Sequence, residues 1–547
     1  MATKYVRSIT SVNDLNLNYI TDICDRAICV YREIREGNPN TFKNYLAGNR
    51  CNLLFFQSST RTYNSFEDAF SLLGAESVGG FRSSEESSIS KGESIYHTIE
   101  TFVGQGTGPK FIIIRDGFEG SALWARISAF KAFSKKIREY AKEYASFPRN
   151  FIFPIIFNGG DGKHAHPSQL LLDCASMRHK IGRITDINFG ECNDIGGSRV
   201  VSSHIDAAHI LNWHMHLCPF PDSSLSPRQR YSLLKSKAAF SFYENVSDML
   251  PLINLLYVNR YQFNLRGEKT GPHAGNMFSV SHPKISLNLI NPFNIPVFHA
   301  RPIDKNAQEI SPDLYDHHLD YSGIQSDFGV PARMAMCMYA IDNRLFSFEG
   351  LINSLNLKRL GFHREDLTGS QAKNIKDELY TTARIRNGFV IDHIPRGCGS
   401  VIASLISKLA PEIPIVLSMN VKGAYSNSMP KDVLKLHVTE DFLWTEVFNN
   451  IIVLFTDYSA KKSCRVSKFM NGVRVEKWAF RMRISGNDTC CNDKCITRPE
   501  RLENIFLKHK TEEVLGVKMK VCPFCETPQN MDTLAEMETI VQNNLKP

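Results

Sequence analysis

Asn52-Leu53-Leu54-Phe55-Phe56-Gln57-Ser58-Ser59-Thr60-Arg61-Thr62 is the stretch whose reading decides the fold. An apolar run stops at a cluster of hydroxyls around one arginine. The residues that follow, Tyr63 to Gly74, carry Phe66, Phe70 and Leu73 at helical spacing, and Gly74 suits a helix end. The pattern is strand, Ser/Thr/Arg loop, helix N-terminus. The free N–H groups and the dipole of a first helical turn attract an anion. An arginine fork with several hydroxyls in that turn suits phosphate. The plainer reading is a capped helix with a surface arginine.

Moving outward, the motif recurs. Phe111-Ile112-Ile113-Ile114 is followed at once by Arg115. Phe151 to Phe157, interrupted by Pro154, leads into a glycine-rich turn, then His164-Ala165-His166-Pro167-Ser168-Gln169 and a helix starting at Leu170. Ile184 to Ile187 precedes a polar loop and then Arg199. Leu255 to Val258 precedes Asn259-Arg260-Tyr261-Gln262, and Ile295 to Phe298 precedes His299-Ala300-Arg301-Pro302. Five of six apolar runs are thus followed by an arginine, Arg199 only after a long loop, and the sixth ends at His166. Strands alternating with helices predict an open parallel α/β sheet, whose ligands bind beyond the carboxyl ends of the strands. Arginines gathered there make a pocket for anionic substrates. His164-x-His166 lacks the further ligands that a metal pair needs.

Other segments frame this core. Residues 11–36 predict a packing helix with Asn13 or Asp14 as N-cap and Leu17, Ile20, Ile23, Cys24 and Ala27 inward. Ser87 to Glu93 is a polar loop whose Lys91 is either solvated or able to close over a phosphate. Gly329 to Arg333 opens another helix, and residues 344–382 read as a partly helical linker without a strong strand. Beyond it, Phe389 to Pro395, Ile413 to Met419 and Val433 to Val438 read as strands and Val401 to Leu409 as a helix, a small α+β domain. Finally, Cys490-x4-Cys495 and Cys522-x2-Cys525 set two close thiol pairs apart at the spacing of a structural zinc site, with Cys491 competing for the first position.

The totals fit. A chain of 547 residues suggests three or four domains, and 43% apolar with 22% charged content is ordinary for a globular protein. No apolar run approaches the ~18–20 residues of a membrane span, and a signal-peptide pattern is lacking, which predicts a cytoplasmic chain without a membrane partner. The net charge of +8 is mild. The cysteine module has no basic and aromatic stripe beside it, which argues against nucleic acid.

In order, Ser59-Thr60-Arg61-Thr62, Lys91-Gly92-Glu93, Arg115, His166-Pro167-Ser168-Gln169, Arg199, Arg260-x-Gln262 and Gly329-x-x-Ala332-Arg333 resemble the aspartate carbamoyltransferase family over residues 5–345. Residues 383–530 resemble the regulatory chain of the same enzyme, through Val390-Ile391-Asp392-His393-Ile394-Pro395 and the four cysteines. The resemblance implies the carbamoyltransferase fold, α/β with two doubly wound parallel-sheet domains, fused to a small α+β nucleotide-binding domain and a zinc-binding β module. The implied boundaries are 1–155 for carbamoyl phosphate (with a return helix 327–345), 156–326 for aspartate, 346–382 as linker, 383–485 for nucleotide and 486–547 for zinc.

The resemblance also implies the chemistry: transfer of the carbamoyl group of carbamoyl phosphate to L-aspartate, in pyrimidine synthesis, with no catalytic cofactor. Ser59, Thr60, Arg61, Thr62 and Arg115 are expected to hold phosphate, His166 to bond the carbonyl oxygen, and Gln169 to orient the carbamoyl nitrogen. Arg199, Arg260 and Gln262 are expected to grip the aspartate carboxylates, with main-chain contacts at Arg301 and Pro302. Ser88 (or Ser87) and Lys91 come from a neighbouring subunit in the family, so a homotrimer or multiple of trimers is implied. Asp392, His393, Lys431, Lys435 and Lys477 are the implied contacts of CTP, UTP or ATP, and Cys490, Cys495, Cys522 and Cys525 of one structural Zn2+.

The chain also departs from the pattern. Gln57 stands where the family has a glutamate that locks domain closure, Asp116-Gly117 replaces His-Pro, Arg301 adds a charge, and residues 191–198 read as an insertion. These departures leave a catalytically impaired, nucleotide-binding protein of the same fold as an alternative, alongside a carbamoyltransferase with another acceptor. The ornithine enzyme's His-Cys-Leu-Pro and Ser-Met-Gly motifs are missing.

Overall fold

The computed structural model describes residues 8–86, 92–104, 111–144, 153–220, 223–260, 284–303, 308–342, 362–366, 385–421, 430–438, 446–456, 464–482, 488–500 and 509–544. Its first sheet is four-stranded and parallel, β1 (Arg50–Phe55), β2 (Ser77–Phe81), β3 (Phe111–Asp116) and β4 (Ile155–Asp161), in the order β2-β1-β3-β4. Leu53, Phe55, Phe111, Ile113, Ile155 and Phe157 face one core, and Leu54, Ile112, Ile114 and Ile156 face the other. A parallel sheet covered on both faces needs such unbroken apolar strands. Helices α1 (Leu17–Arg35) and α2 (Thr60–Leu72) cover the first face. Helices α3 (Ile95–Gly104) and α4 (Ser121–Tyr144) cover the second.

Helix α5 (Pro167–Ile181) leads to a second parallel sheet. Its strands are β5 (Asn188–Asn193), β6 (His214–Pro219), β7 (Phe240–Phe242), β8 (Leu255–Asn259) and β9 (Val297–His299), in the order β7-β6-β5-β8-β9. Helices α6 (Arg199–Leu211) and α7 (Pro227–Ser236) lie among them, and α8 (Gly329–Asp342) returns to pack on α1 and α2. One apolar core joins α1, α2, α5, α6 and α8 to both sheets.

A six-stranded antiparallel sheet follows, ordered β10-β15-β14-β11-β13-β12. Its strands are β10 (Phe362–Asp366), β11 (Gly388–Pro395), β12 (Ile415–Val421), β13 (Lys431–His437), β14 (Arg465–Met470) and β15 (Val473–Met482). Its helices α9 (Gly399–Leu409) and α10 (Glu446–Phe455) share a core with α4. Ser134 Oγ donates to the Leu454 carbonyl at 2.6 Å and Arg138 Nη1 to that of Thr456 at 2.9 Å. The hairpin β16 (Lys510–Val514) and β17 (Val517–Val521), with α11 (Met531–Asn544), packs against Tyr231 and Leu234 of α7.

Several local expectations change. The N-cap of α1 is Asn16, accepting from Tyr19 N at 3.0 Å, because Asp14 is turned back to Thr10. Strand β4 straddles the expected boundary at 155, because Ile155 pairs with Phe111 in the first sheet. The second-sheet strand lies after Ile184 to Ile187, in the mixed segment Asn188–Asn193, where Asn and Glu serve buried polar contacts. Residues 191–198 finish β5 and form the turn that caps α6. Within the stretch read as linker, β10 pairs with β15. Its charged Arg364 stacks over Trp478 and pairs with Glu476, which leaves no apolar signal in sequence. Among the described residues the C-terminal sheet therefore has six strands, more than the three apolar runs that read as strands.

Candidate active site

Helix α2 begins where β1 ends, and the first N–H bonded within it is that of Tyr63, to the Ser59 carbonyl at 3.0 Å. The N–H groups of Thr60, Arg61 and Thr62 therefore point off the helix end. They open onto a cavity of about 630 Å³ at the carboxyl ends of β1, β3, β4, β5, β8 and β9. Arg61, Arg115, Arg199, Arg260, Arg301 and Arg333 all line it, and Asp68 is the one carboxylate among its described lining residues.

Local structure explains each position. Arg115, one residue before the end of β3, stands opposite Phe55 and donates to the Gly159 carbonyl at 2.8 Å. Gly160 has φ +113°, and a Cβ there would stand 2.9 Å from Arg115 Nη1 and 3.2 Å from Arg199 Nη1. Only glycine lets both guanidinium groups approach. Arg199 opens α6 behind the Ser198 N-cap and donates to Gln57 Oε1 at 3.0 Å. Arg61 donates to the Ala300 carbonyl at 3.3 Å, tying the first sheet's loop to the second's.

Crowded cations lose affinity for their protons. Burial, then Arg260, brings Arg61 down to about 10; burial brings Arg199 and Arg333 to about 10 as well. Burial, then Arg199, Arg61 and Arg333, pushes Arg115 well below the ordinary arginine value. All this favours bound anions. His166 caps α5, is buried, and is held neutral by burial and then by Arg115, Arg199, Arg333 and Arg61. Its backbone N–H donates to Ser203 Oγ at 2.8 Å, and Ser168 Oγ lies 3.3 Å from the ring Nδ1. A Ser168 hydroxyl donating to Nδ1 leaves the ring proton on Nε2. Gln169 Nε2 donates to Asp173 at 2.9 Å, so its oxygen is the end left for a ligand.

Ser59, Thr60, Arg61, Thr62, Arg115, His166, Gln169, Arg199, Arg260 and Arg301 are thus brought together. Ser88, Lys91 and Gln262 lie outside the described residues. Pro302, joined to Arg301 by a cis peptide, is exposed and does not line the cavity. The extra charge of Arg301 is paired: Nε donates to Ser322 at 2.8 Å and Nη2 to the buried Asp320 carboxylate at 3.0 Å. His164 belongs to a different cluster, with Asp161 at 2.9 Å and Glu526 at 3.4 Å. Arg333 did not stand out as a site residue. Its signal is one buried charge on an otherwise apolar helix face, held by the Gly329 carbonyl at 2.7 Å and lying over Phe66.

Two further clusters lie in the C-terminal part. Lys435, Val390, Ser467 and Lys477 stand opposite one another across β13, β11, β14 and β15, so their side chains share a face. Lys431 Nζ lies 2.6 Å and His393 Nδ1 3.0 Å from Asp392. Against burial, which raises it, His393 and Lys431 hold the Asp392 carboxyl below the usual range. Arg465, opposite Asp392, is a cation the spacing did not single out.

Cys490, Cys495, Cys522 and Cys525 are buried, with all four sulfurs within 4.8 Å. The Cys490–Cys525 and Cys495–Cys522 separations are 3.6 and 3.8 Å. A tetrahedron of Zn–S bonds of about 2.3 Å has edges near 3.8 Å, so the four sulfurs fit zinc. Asn492 N and Gln529 Nε2 donate toward Cys490 Sγ, and Thr497 Oγ1 toward Cys495, as thiolates require. Cys491 is exposed, with its Sγ toward Pro528, and stands outside the group. The module is stitched to the first sheet's loop: Glu119 N donates to Lys494 O at 2.7 Å and Ile496 N to Glu119 O at 2.9 Å. Gly120, at φ +87°, meets Phe524 so closely that a Cβ would come within 2.8 Å.

Comparison with known proteins agrees with this architecture. Residues 7–179 match the carbamoyl-phosphate-binding domain of aspartate/ornithine carbamoyltransferases. The aspartate carbamoyltransferase catalytic subunit of Finegoldia magna is 31% identical over 338 residues, 61% of this chain and 97% of that one. The corresponding subunit of Haloquadratum walsbyi is 29% identical over 60% of this chain and 95% of its own. The solved catalytic subunit of M. jannaschii aspartate transcarbamoylase is 26% identical, covers 62% of this chain and 100% of its own, and superposes with a TM-score of 0.50. The chain belongs to the aspartate carbamoyltransferase family, a family of transferases. Among the described residues, no helix is long and apolar enough to cross a membrane.

Proposed function

We propose that the arginine-lined cavity is where this aspartate carbamoyltransferase joins carbamoyl phosphate to L-aspartate, giving N-carbamoyl-L-aspartate and phosphate. One observation carries the assignment: the open N-terminus of α2, Arg61, Arg115 and neutral His166 all face a single cavity. The phosphate dianion sits on the N–H groups and hydroxyls of Ser59 to Thr62 and between Arg61 and Arg115. Gln169 accepts from the carbamoyl N–H, and His166 Nε2 donates to the carbonyl oxygen. Arg199, Arg260 and Gln262 receive the two carboxylates, with main-chain groups at Arg301 and Pro302 nearby.

The aspartate amine attacks the carbonyl carbon, and negative charge builds on the oxygen beside His166 and Arg61. The C–O bond to phosphate then breaks, the leaving group departs as phosphate onto Arg61 and Arg115, and the amine proton passes to the departing phosphate. Catalysis is positioning plus electrostatics. Lys91 and Ser88 of the partner subunit complete each site, so the working unit is a trimer or a multiple of trimers.

The C-terminal part serves regulation. Asp392, His393, Lys431, Lys435 and Lys477 hold CTP, UTP or ATP, and Zn2+ on the four cysteines stiffens the module that clasps the catalytic part. The protein works in the cytoplasm. The test mixes Arg61→Ala and Lys91→Ala chains, each expected to lose about a thousandfold in kcat. Regained N-carbamoyl-L-aspartate synthesis in the mixture supports shared sites. Inactive mixtures, or product with ornithine instead of aspartate, refute the assignment.

A further inference from the structure

Below the cavity floor lies a buried ionic centre that the proposed chemistry does not use. His204 of α6 is completely buried between two buried carboxylates: Nδ1 lies 2.5 Å from Glu191 Oε1 and Nε2 lies 3.1 Å from Asp173 Oδ2. A ring with a carboxylate on each nitrogen donates from both and is an imidazolium. Burial alone would lower its proton affinity, but Glu191 and Asp173 override burial and raise it to about 9.

Each carboxylate uses its other oxygen to hold cavity-lining amides. Asp173 Oδ1 accepts from Gln169 Nε2 at 2.9 Å and from Gln325 Nε2 at 2.6 Å. Glu191 Oε2 accepts from Asn259 Nδ2 at 2.5 Å. Gln325 Oε1 in turn accepts from His299 N at 2.8 Å, just before the Ala300 carbonyl that receives Arg61. Phe189, Trp213 and Tyr257 ring the imidazole, and Arg333 is the next charge, facing Asp173.

We infer that His204 is a positioning residue for carbamoyl transfer: donating from both ring nitrogens, it holds Asp173 and Glu191 in place as acceptors, and so fixes which end of Gln169 and Asn259 faces the substrates. The reason is directional. An ionised carboxylate only accepts, so it must take the NH2 end of each amide. Gln169 and Asn259 then present carbonyl oxygens to the cavity, the acceptors that the NH2 of a carbamoyl group and an attacking amine need. A donor in the carboxylate's place would take the other end, and the amide would turn its own donor toward those N–H groups. Among the described residues, the phosphate-holding turn at Ser59 to Thr62 makes no hydrogen bond to Asp173, Glu191, Gln169 or Asn259; its link to the network is Arg61 on the Ala300 carbonyl.

The inference rests on the proposed role of Gln169, and the experiment separates the two. Full-length His204→Gln, the charge-balanced double variant Glu191→Gln with His204→Leu, and Gln169→Ala are compared with the native chain. For each, kcat, half-saturating aspartate, thermal unfolding and the Kd for inorganic phosphate are measured. Expected is a loss of about tenfold or more in kcat in both His204 variants, with phosphate Kd within about twofold of native. The double variant keeps the test decisive if the single one misfolds, because it removes one carboxylate with the cation. A folded His204 variant with native kcat, or one whose phosphate Kd weakens in step with kcat, overturns the inference. Native kcat in Gln169→Ala instead overturns the role of Gln169 itself.

Discussion

Arg199 Nη1 donates to Gln57 Oε1 at 3.0 Å, joining the loop after β1 to the first turn of α6. The amide therefore bridges the two parallel-sheet units without a negative charge. A charged acceptor makes a roughly twofold stronger bond to a guanidinium. Gln57→Glu is expected to lower half-saturating aspartate, and Gln57→Ala to raise it, each by about fivefold. Aspartate saturation curves decide this, and superimposable curves for all three proteins would refute it.

Neutral His166 makes a pH prediction. Its proton affinity lies well below the ordinary value of 6.5. Such a group favours folding above the unfolded value, and that stability is lost as pH falls through and below 6.5. The Tm difference between native protein and His166→Gln should shrink as pH falls from about 7 to about 5. In kcat, His166→Gln should lose about a hundredfold, and the native profile should show no acid limb near 6.5.

His164 runs in the opposite direction. Burial lowers its proton affinity, but Asp161 and Glu526 override burial and raise it to about 10. Its stabilisation is complete below 6.5 and lost as pH rises toward 10. The Tm advantage of native protein over His164→Gln should therefore fade on the alkaline side. An advantage that grows between pH 8 and 10 would contradict the pairing.

Arg301 is expected to matter little for aspartate despite its place on the cavity wall. Its guanidinium is committed to Asp320 and Ser322. Arg301→Leu should change half-saturating aspartate by less than about threefold, whereas Arg199→Ala should raise it by about tenfold to a hundredfold. Equal effects from both would show that Arg301 binds substrate with its charge.

Metal removal tests the cysteine module. Native protein should hold about one zinc per chain, and Cys495→Ser should hold little. Because Glu500 bonds Ile95 N at 2.7 Å and Trp124 Nε1 at 2.8 Å, loosening the module should unfasten α3 and α4. Tm should fall by several degrees, on the scale of about 2–4 °C per kcal/mol. Unchanged Tm after zinc loss would separate the metal from the docking.

How far the sequence could be read follows from how local each signal is. The strand-to-helix turn at Ser59 to Thr62, the runs ending at Arg115 and Arg260, and the paired cysteines are contiguous patterns, visible because a short segment sets its own periodicity. Strand β10 was hidden because a charged edge strand owes its place to Trp478 and Glu476 on another strand. Strand β5 lies beyond the apolar run because its Glu191 is buried against His204 and Asn259. Arg333 was passed over because one buried cation in a helix carries meaning only once its neighbours are known.

The sequence by itself determined the alternation of apolar strands and helices, the cation at the end of most strands, and the tetrad of thiols. Those depend on residues close in the chain. Tertiary structure alone decided that Gln57 accepts from Arg199, that Arg301 turns to Asp320, and that His204 stands between Asp173 and Glu191. Each of these joins groups far apart in sequence, and a hydrogen bond is made or lost over tenths of an ångström that only the packed core can set.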